Sequence, residues 1–159
     1  MRANPFSVTY PANLIQQNGS NSELALSDAA QEFEFTLSVR PATPSLSAAF
    51  DARAFGDGVG FLQMLRRSVP GAALVGNAVV SLPAGPAHVV HWSAPANGST
   101  PAMRYIDARV YDGGRGYNLS FVIRGSALDR HREAVGFILA NFATTSAASA
   151  CCAASVAVP

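Results

Sequence analysis

Residues Glu32 to Val39 alternate without exception. Phe33, Phe35, Leu37 and Val39 hold one parity; Glu32, Glu34, Thr36 and Ser38 hold the other. Successive side chains of a strand point to opposite faces, so one face of this segment lies on a core and the other is polar. Any fold for the chain must contain a sheet covered on at least one side.

Other segments share this grammar. Phe6, Val8 and Tyr10 alternate with Ser7 and Thr9 until Pro11 ends the strand or marks it as an edge. Asn18-Gly19-Ser20-Asn21 is a turn cluster between Leu14–Gln17 and Glu23–Ser27, which predicts a hairpin. Residues 73–82 and 87–93 read as strands joined by Pro83-Ala84-Gly85-Pro86. A last hairpin, Arg104–Tyr111 with Gly116–Arg124, flanks Asp112-Gly113-Gly114-Arg115. A loop of that length opposes Val110 to Tyr117, Ala108 to Leu119 and Ile106 to Phe121, all on the core face. The other face then carries Tyr105, Asp107, Arg109 and Tyr111 beside Asn118, Ser120 and Val122. A slip of one residue would set Arg109 against Leu119 on the core side, at the cost of burying a charge.

Thr43-Pro44 suits a helix start, followed by Leu46, Ala49, Phe50 and Arg53 at helical spacing. Gly56, Gly58 and Gly60 break it, each costing about 1 kcal/mol in a helix interior. A second helical piece spans Val59 to Arg67. Ser126-Ala127-Leu128-Asp129 resembles a capping box. Beyond it Leu128, Val135, Ile138, Leu139 and Phe142 form one helical stripe, with Arg130, Arg132 and Glu133 off it. The expected fold class is α+β: a central antiparallel sheet of six or seven strands with helices packed on it, as in an α/β/α sandwich. One domain spans residues 5–143, and the Ala/Ser-rich residues 144–159 read as a disordered tail.

Three stretches resemble a known superfamily. They are Phe6-Ser7-Val8-Thr9-Tyr10-Pro11, Val80-Ser81-Leu82-Pro83-Ala84-Gly85-Pro86-Ala87, and Gly116-Tyr117-Asn118-Leu119-Ser120-Phe121 leading to Phe137-Ile138-Leu139-Ala140-Asn141-Phe142. Their order is similar to that in the grouping of the photosystem protein PsbP, the Ran-binding Mog proteins, DcrB-like proteins and small actinobacterial lipoproteins. The resemblance implies an antiparallel sheet between helices and a binding or assembly role rather than an enzymatic one. It also brings the export or lipid anchoring of several members, which this chain does not match with a lipobox cysteine near Met1.

Composition narrows the function classes. Eleven basic residues, all Arg, face ten acidic ones, for a net charge of +1. Such a balance attracts neither nucleic acid nor anionic lipid, and nucleic-acid binding is not expected. Cys151 and Cys152 are adjacent and offer neither metal spacing nor a disulfide framework. No apolar run reaches the roughly 18 residues that cross a bilayer. No charged and then apolar leader precedes Phe6, so the sequence as written reads as cytoplasmic; a longer upstream start would shift the expectation to export or the envelope.

Candidate chemistry is sparse. His88 and His91, beside Trp92, are three positions apart, an odd offset that puts them on opposite faces of a strand and argues against a shared metal. His131, among arginines, reads as solvated. Gly113-Gly114 and the glycines at 56–60 lack the spacing of a phosphate-binding loop. No Ser lies in a nucleophile-elbow motif, so no catalytic residue, cofactor site or metal site is assigned.

Tyr105, Asp107, Arg109, Tyr111, Asn118 and Ser120, joined by His91, form the candidate docking surface for a protein partner, because Tyr and Arg favour interface anchors. The alternative is a small-molecule or lipid carrier with an apolar pocket lined by Phe33, Phe35, Phe121 and Phe137. An enzyme using His91 with Asp107 or Tyr105 is the third reading.

Overall fold

The computed structural model describes residues 5–18, 22–42 and 58–145. Its strands are β1 (Phe6–Val8), β2 (Ile15–Gln16), β3 (Leu24–Ser27), β4 (Phe33–Pro41), β5 (Ala73–Leu82), β6 (Gly85–Ala94), β7 (Met103–Asp112), β8 (Arg115–Arg124) and β9 (Phe142–Thr144). Two α-helices are described, α1 (Val59–Arg66) and α2 (Leu128–Ala140). Seven strands make one sheet in the order β2-β3-β4-β8-β7-β6-β5, every neighbouring pair antiparallel. The expected α+β architecture is therefore present. The helix expected from Thr43-Pro44, the glycine break at Gly56, most of the turn at residues 18–21 and the tail beyond Thr145 lie outside the described residues.

The last hairpin has the register that its apolar parity demanded. Ile106 opposes Phe121, Ala108 opposes Leu119 and Val110 opposes Tyr117. The turn itself is tighter than four residues: Asp112 pairs with Arg115 across Gly113 and Gly114. Both glycines have positive φ, 57° and 74°, the backbone that a two-residue hairpin turn requires. The preceding hairpin tightens likewise, with Gly85 already opposed to Leu82.

The main core lies on one face of the sheet. Phe33, Phe35 and Leu37 of β4 meet Ile123, Phe121 and Leu119 of β8, all essentially inaccessible. The rings interlock, with centroids 4.9 Å apart for Phe35–Phe121 and 6.2 Å for Phe33–Phe121. Val135 and Ile138 of α2 close this core. A smaller cluster on the other face joins Phe61 of α1 to Ala72, Val90 and Trp92.

The opening strand pairs with β9 in a separate two-stranded ribbon, Phe6 opposite Thr144. Three expectations are corrected. Phe142 leaves the helical stripe, because Asn141 ends α2 with its amide and Nδ2 bonded back to Phe137 O, and it is buried from β9 instead. Ser126 makes no capping bond; a 3₁₀ turn over Gly125–Ala127 leads into α2. Phe137 does not line a pocket with Phe33, Phe35 and Phe121: it falls between stripe positions and is 44% exposed.

The core and surface aromatics should separate cleanly in urea denaturation. Phe121→Ala is expected to lower stability by about 3–5 kcal/mol, the usual cost of emptying a packed aromatic site. Phe137→Ala is expected to change it by no more than about 0.5 kcal/mol. Comparable losses from the two would contradict this packing.

Candidate functional site

The antiparallel register assembles the polar face row by row. Thr36, Ser120, Asp107 and Val90 stand across β4, β8, β7 and β6; Ser38, Asn118, Arg109 and His88 form the next row. Tyr105, Asp107, Arg109, Tyr111, Asn118 and Ser120 thus share a face, as their parity predicted. Most of their polar groups are turned toward one another. Asp107 accepts hydrogen bonds from Trp92 Nε1 at 2.8 Å and Ser120 Oγ at 2.7 Å, one on each carboxylate oxygen. Arg109 Nε donates to Asn118 Oδ1 at 3.2 Å. The Tyr105 ring stacks on Trp92, centroids 3.8 Å apart, and Phe61 of α1 meets Trp92 edge-on. Burial, and then the Asp107 carboxylate, push the Tyr105 phenol above its usual pKa. Tyr111 lies over Gly116, where an added Cβ would come within 2.9 Å of the ring. One end of the face is therefore a second core under α1, and the rest is half-buried polar surface.

His91 does not belong to this face. It opposes Ile106 and points to the α2 side of the sheet. A pairing with Asp107 or Tyr105 would have to cross the sheet, which corrects both its place in the docking surface and the enzyme reading built on it. Its Nε2 is buried without a hydrogen-bond partner. Burial first, and then the positive charges of Arg104 and Arg132, lower its pKa below 6.5.

Another polar cluster went unread in the sequence. Asp28 follows β3 and Glu32 precedes β4, so the turn between the strands carries both carboxylates. Asp28 Oδ1 accepts the backbone N–H groups of Glu32 at 2.8 Å and Phe33 at 3.0 Å. Its Oδ2 faces His131 Nε2 of α2 across 3.6 Å. His131 is only 7% exposed, against the expectation of a solvated residue. Position 131 lies three residues after Leu128 and four before Val135, on the buried stripe itself. Phe33 packs its ring on the imidazole at 5.1 Å, and Nε2 has no hydrogen bond. Arg130 holds Glu32 Oε2 at 2.8 Å.

The outer edge of the sheet is β5, hydrogen-bonded to β6 on one side and, among the described residues, to no strand on the other. Residues 68–87 carry no charged side chain. Val75 and Val79 are 48% and 63% exposed. A register shift between Leu74 and Gly76 bends the start of β5, whereas Asn77–Leu82 pairs regularly. No helix of the described residues is long and apolar enough to cross a membrane.

No protein-family model matches the chain, and no curated protein matches it by sequence. Solved structures do. CyanoP, the cyanobacterial PsbP of Synechocystis sp. PCC 6803, superposes with a TM-score of 0.66 at 9% identity, over 88% of this chain and 86% of that one. LpqN of Mycobacterium tuberculosis, a protein involved in cell envelope biogenesis, superposes at 0.58 and 12% identity, over 87% and 82%. At such identities the likeness is one of fold, and the fold is PsbP-like.

Two outcomes test these assignments. Asp107→Ala leaves the Trp92 indole N–H without its acceptor and is expected to cost about 1–3 kcal/mol in urea denaturation; an unchanged midpoint would contradict the bond. For His91, whose folded pKa is depressed, the stabilising contribution is full above about 6.5, the unfolded value, and is lost as pH falls through the folded value. His91→Gln should therefore narrow the difference in stability between about pH 7.5 and about pH 5.5. An undiminished difference would remove His91 as its source.

Proposed function

We propose that this chain is a non-enzymatic binding module that docks a protein partner at the β5 edge of its PsbP-like sheet. The observation that carries the reading is that edge: ten residues without a charge, with Val75 and Val79 exposed. Natural edges are blunted by charge, proline or bulges, because a bare row of backbone donors and acceptors recruits another strand. Here a bulge bends the start of β5, and among the described residues no further strand pairs with the remainder. An extended, apolar segment of a partner fits the remainder, with main-chain hydrogen bonds supplying affinity and alternate side chains supplying selection.

The polar face adds the means of selection. The row from Val79 through His88, Arg109 and Asn118 runs inward from the edge. A partner side chain reaching over β5 meets His88 and then the Arg109 guanidinium. Asp107, by contrast, is committed to Trp92 and Ser120 and serves the scaffold.

A photo-crosslinking residue at position 79, in the full chain in its native cell, tests the reading. One partner should be captured, and its recovery should fall at least about tenfold in Ser81→Lys, at an exposed position of the regular part of β5, since a charge on an edge opposes strand addition. Arg109→Ala should weaken recovery and Glu133→Ala on α2 should leave it intact. Equal recovery from all variants would reject this surface, and crosslinks only between copies of the chain would reassign the edge to self-association.

A further inference from the structure

We propose that Asp28, Glu32 and His131 form a site for one divalent transition-metal ion of the zinc type. Each residue offers one ligand atom, and the three atoms lie within 4.8 Å of one another. Two carboxylates alone would be a solvated acidic turn. His131 is the independent observation: an imidazole more than nine-tenths buried, its Nε2 without a hydrogen bond, directed at Asp28 Oδ2.

The 3.6 Å between His131 Nε2 and Asp28 Oδ2 is too long for a hydrogen bond, which rarely exceeds about 3.2 Å. It suits two ligands of a common ion. Bonds of about 2.0–2.2 Å at tetrahedral angles place neighbouring ligand atoms roughly 3.3–3.6 Å apart. Glu32 is the more exposed of the two carboxylates, and rotation of its side chain completes the contraction around an ion.

The surroundings orient the ligands in advance. Both backbone bonds to Asp28 fall on Oδ1, which leaves Oδ2 for the ion. Arg130 holds one oxygen of Glu32 from outside, as outer-shell partners of metal ligands do. Two negative carboxylates and a neutral imidazole suit a divalent charge. The imidazole nitrogen selects against calcium and magnesium, which take oxygen ligands. The fourth position is left to water. An ion here joins the β3–β4 turn to the first turn of α2, so it binds the folded state and not the unfolded one, and raises stability by mass action.

The test is calorimetric titration of the metal-stripped full chain with zinc chloride, beside thermal unfolding with and without zinc. One ion per chain should bind, magnesium should not compete, and zinc should raise the melting temperature. Glu32→Gln, at the rim of the site, should weaken binding at least about tenfold, since even outer-shell changes cost 10–100-fold. His131→Gln should do likewise, and the imidazole nitrogen resonances of His131 should shift in wild type on adding zinc. Cys151→Ser combined with Cys152→Ser should leave the affinity unchanged. No zinc binding, wild-type affinity in Glu32→Gln, or loss of the ion in the cysteine variant would each overturn the proposal. Glu32→Gln decides alone if His131→Gln does not fold.

Discussion

The pairing of β4 with β8 holds the sheet together. All nine residues of β4 are opposed, from Phe33 against Ile123 to Pro41 against Arg115. It is the seam between two locally built parts, the β2-β3-β4 arm and the β5-to-β8 meander. Each part can form by short turns, but this ladder joins residues separated by most of the domain, and such contacts come late because loop closure must precede them. Phe35 and Phe121 sit opposite each other in the middle of the seam, where aromatic pairing adds to burial.

The two faces of that seam have diverged. On the α2 side the core is mainly apolar, with Asp28, His131 and Thr144 as its buried polar residues, His131 standing where the helical stripe needs another hydrophobe. On the α1 side a single tryptophan anchors a small core whose boundary is polar, and Asp107 secures the indole from the neighbouring strand. With one hydrogen bond on each of its two oxygens, this carboxylate is held in one orientation. Farther out, the row ends at the exposed Val79 beside His88.

Parity explains what was legible beforehand. The alternation at 32–39 and the apolar match across 106–121 specify faces and register, because one step of slip inverts every side chain. These patterns were enough for the fold class, the shared face of Tyr105 to Ser120, and the turn between β7 and β8. They are silent on strand order, so the place of β5 as the outermost described strand is not readable from them: an edge is a property of topology. The charged neighbours of His131 suggest a solvated residue, but its spacing from Leu128 and Val135 places it inward. The face of His91 depends on the pairing of β6 on β7, which sets it against Ile106 and which no pattern within β6 reveals. Phe142 kept helical spacing beyond the point where Asn141 ends the helix, and only its partnership with β1 reveals a strand.

That partnership has a mechanical meaning. Phe6 stands opposite Thr144, and the Thr145 amide bonds to Pro5 O, so both flanks of the domain leave side by side from one end of a three-residue ladder. Tension drawn through both flanks would meet its hydrogen bonds one after another, as in opening a zipper, rather than all at once. The β1–β9 ribbon would yield first, before load reached the seven-stranded sheet.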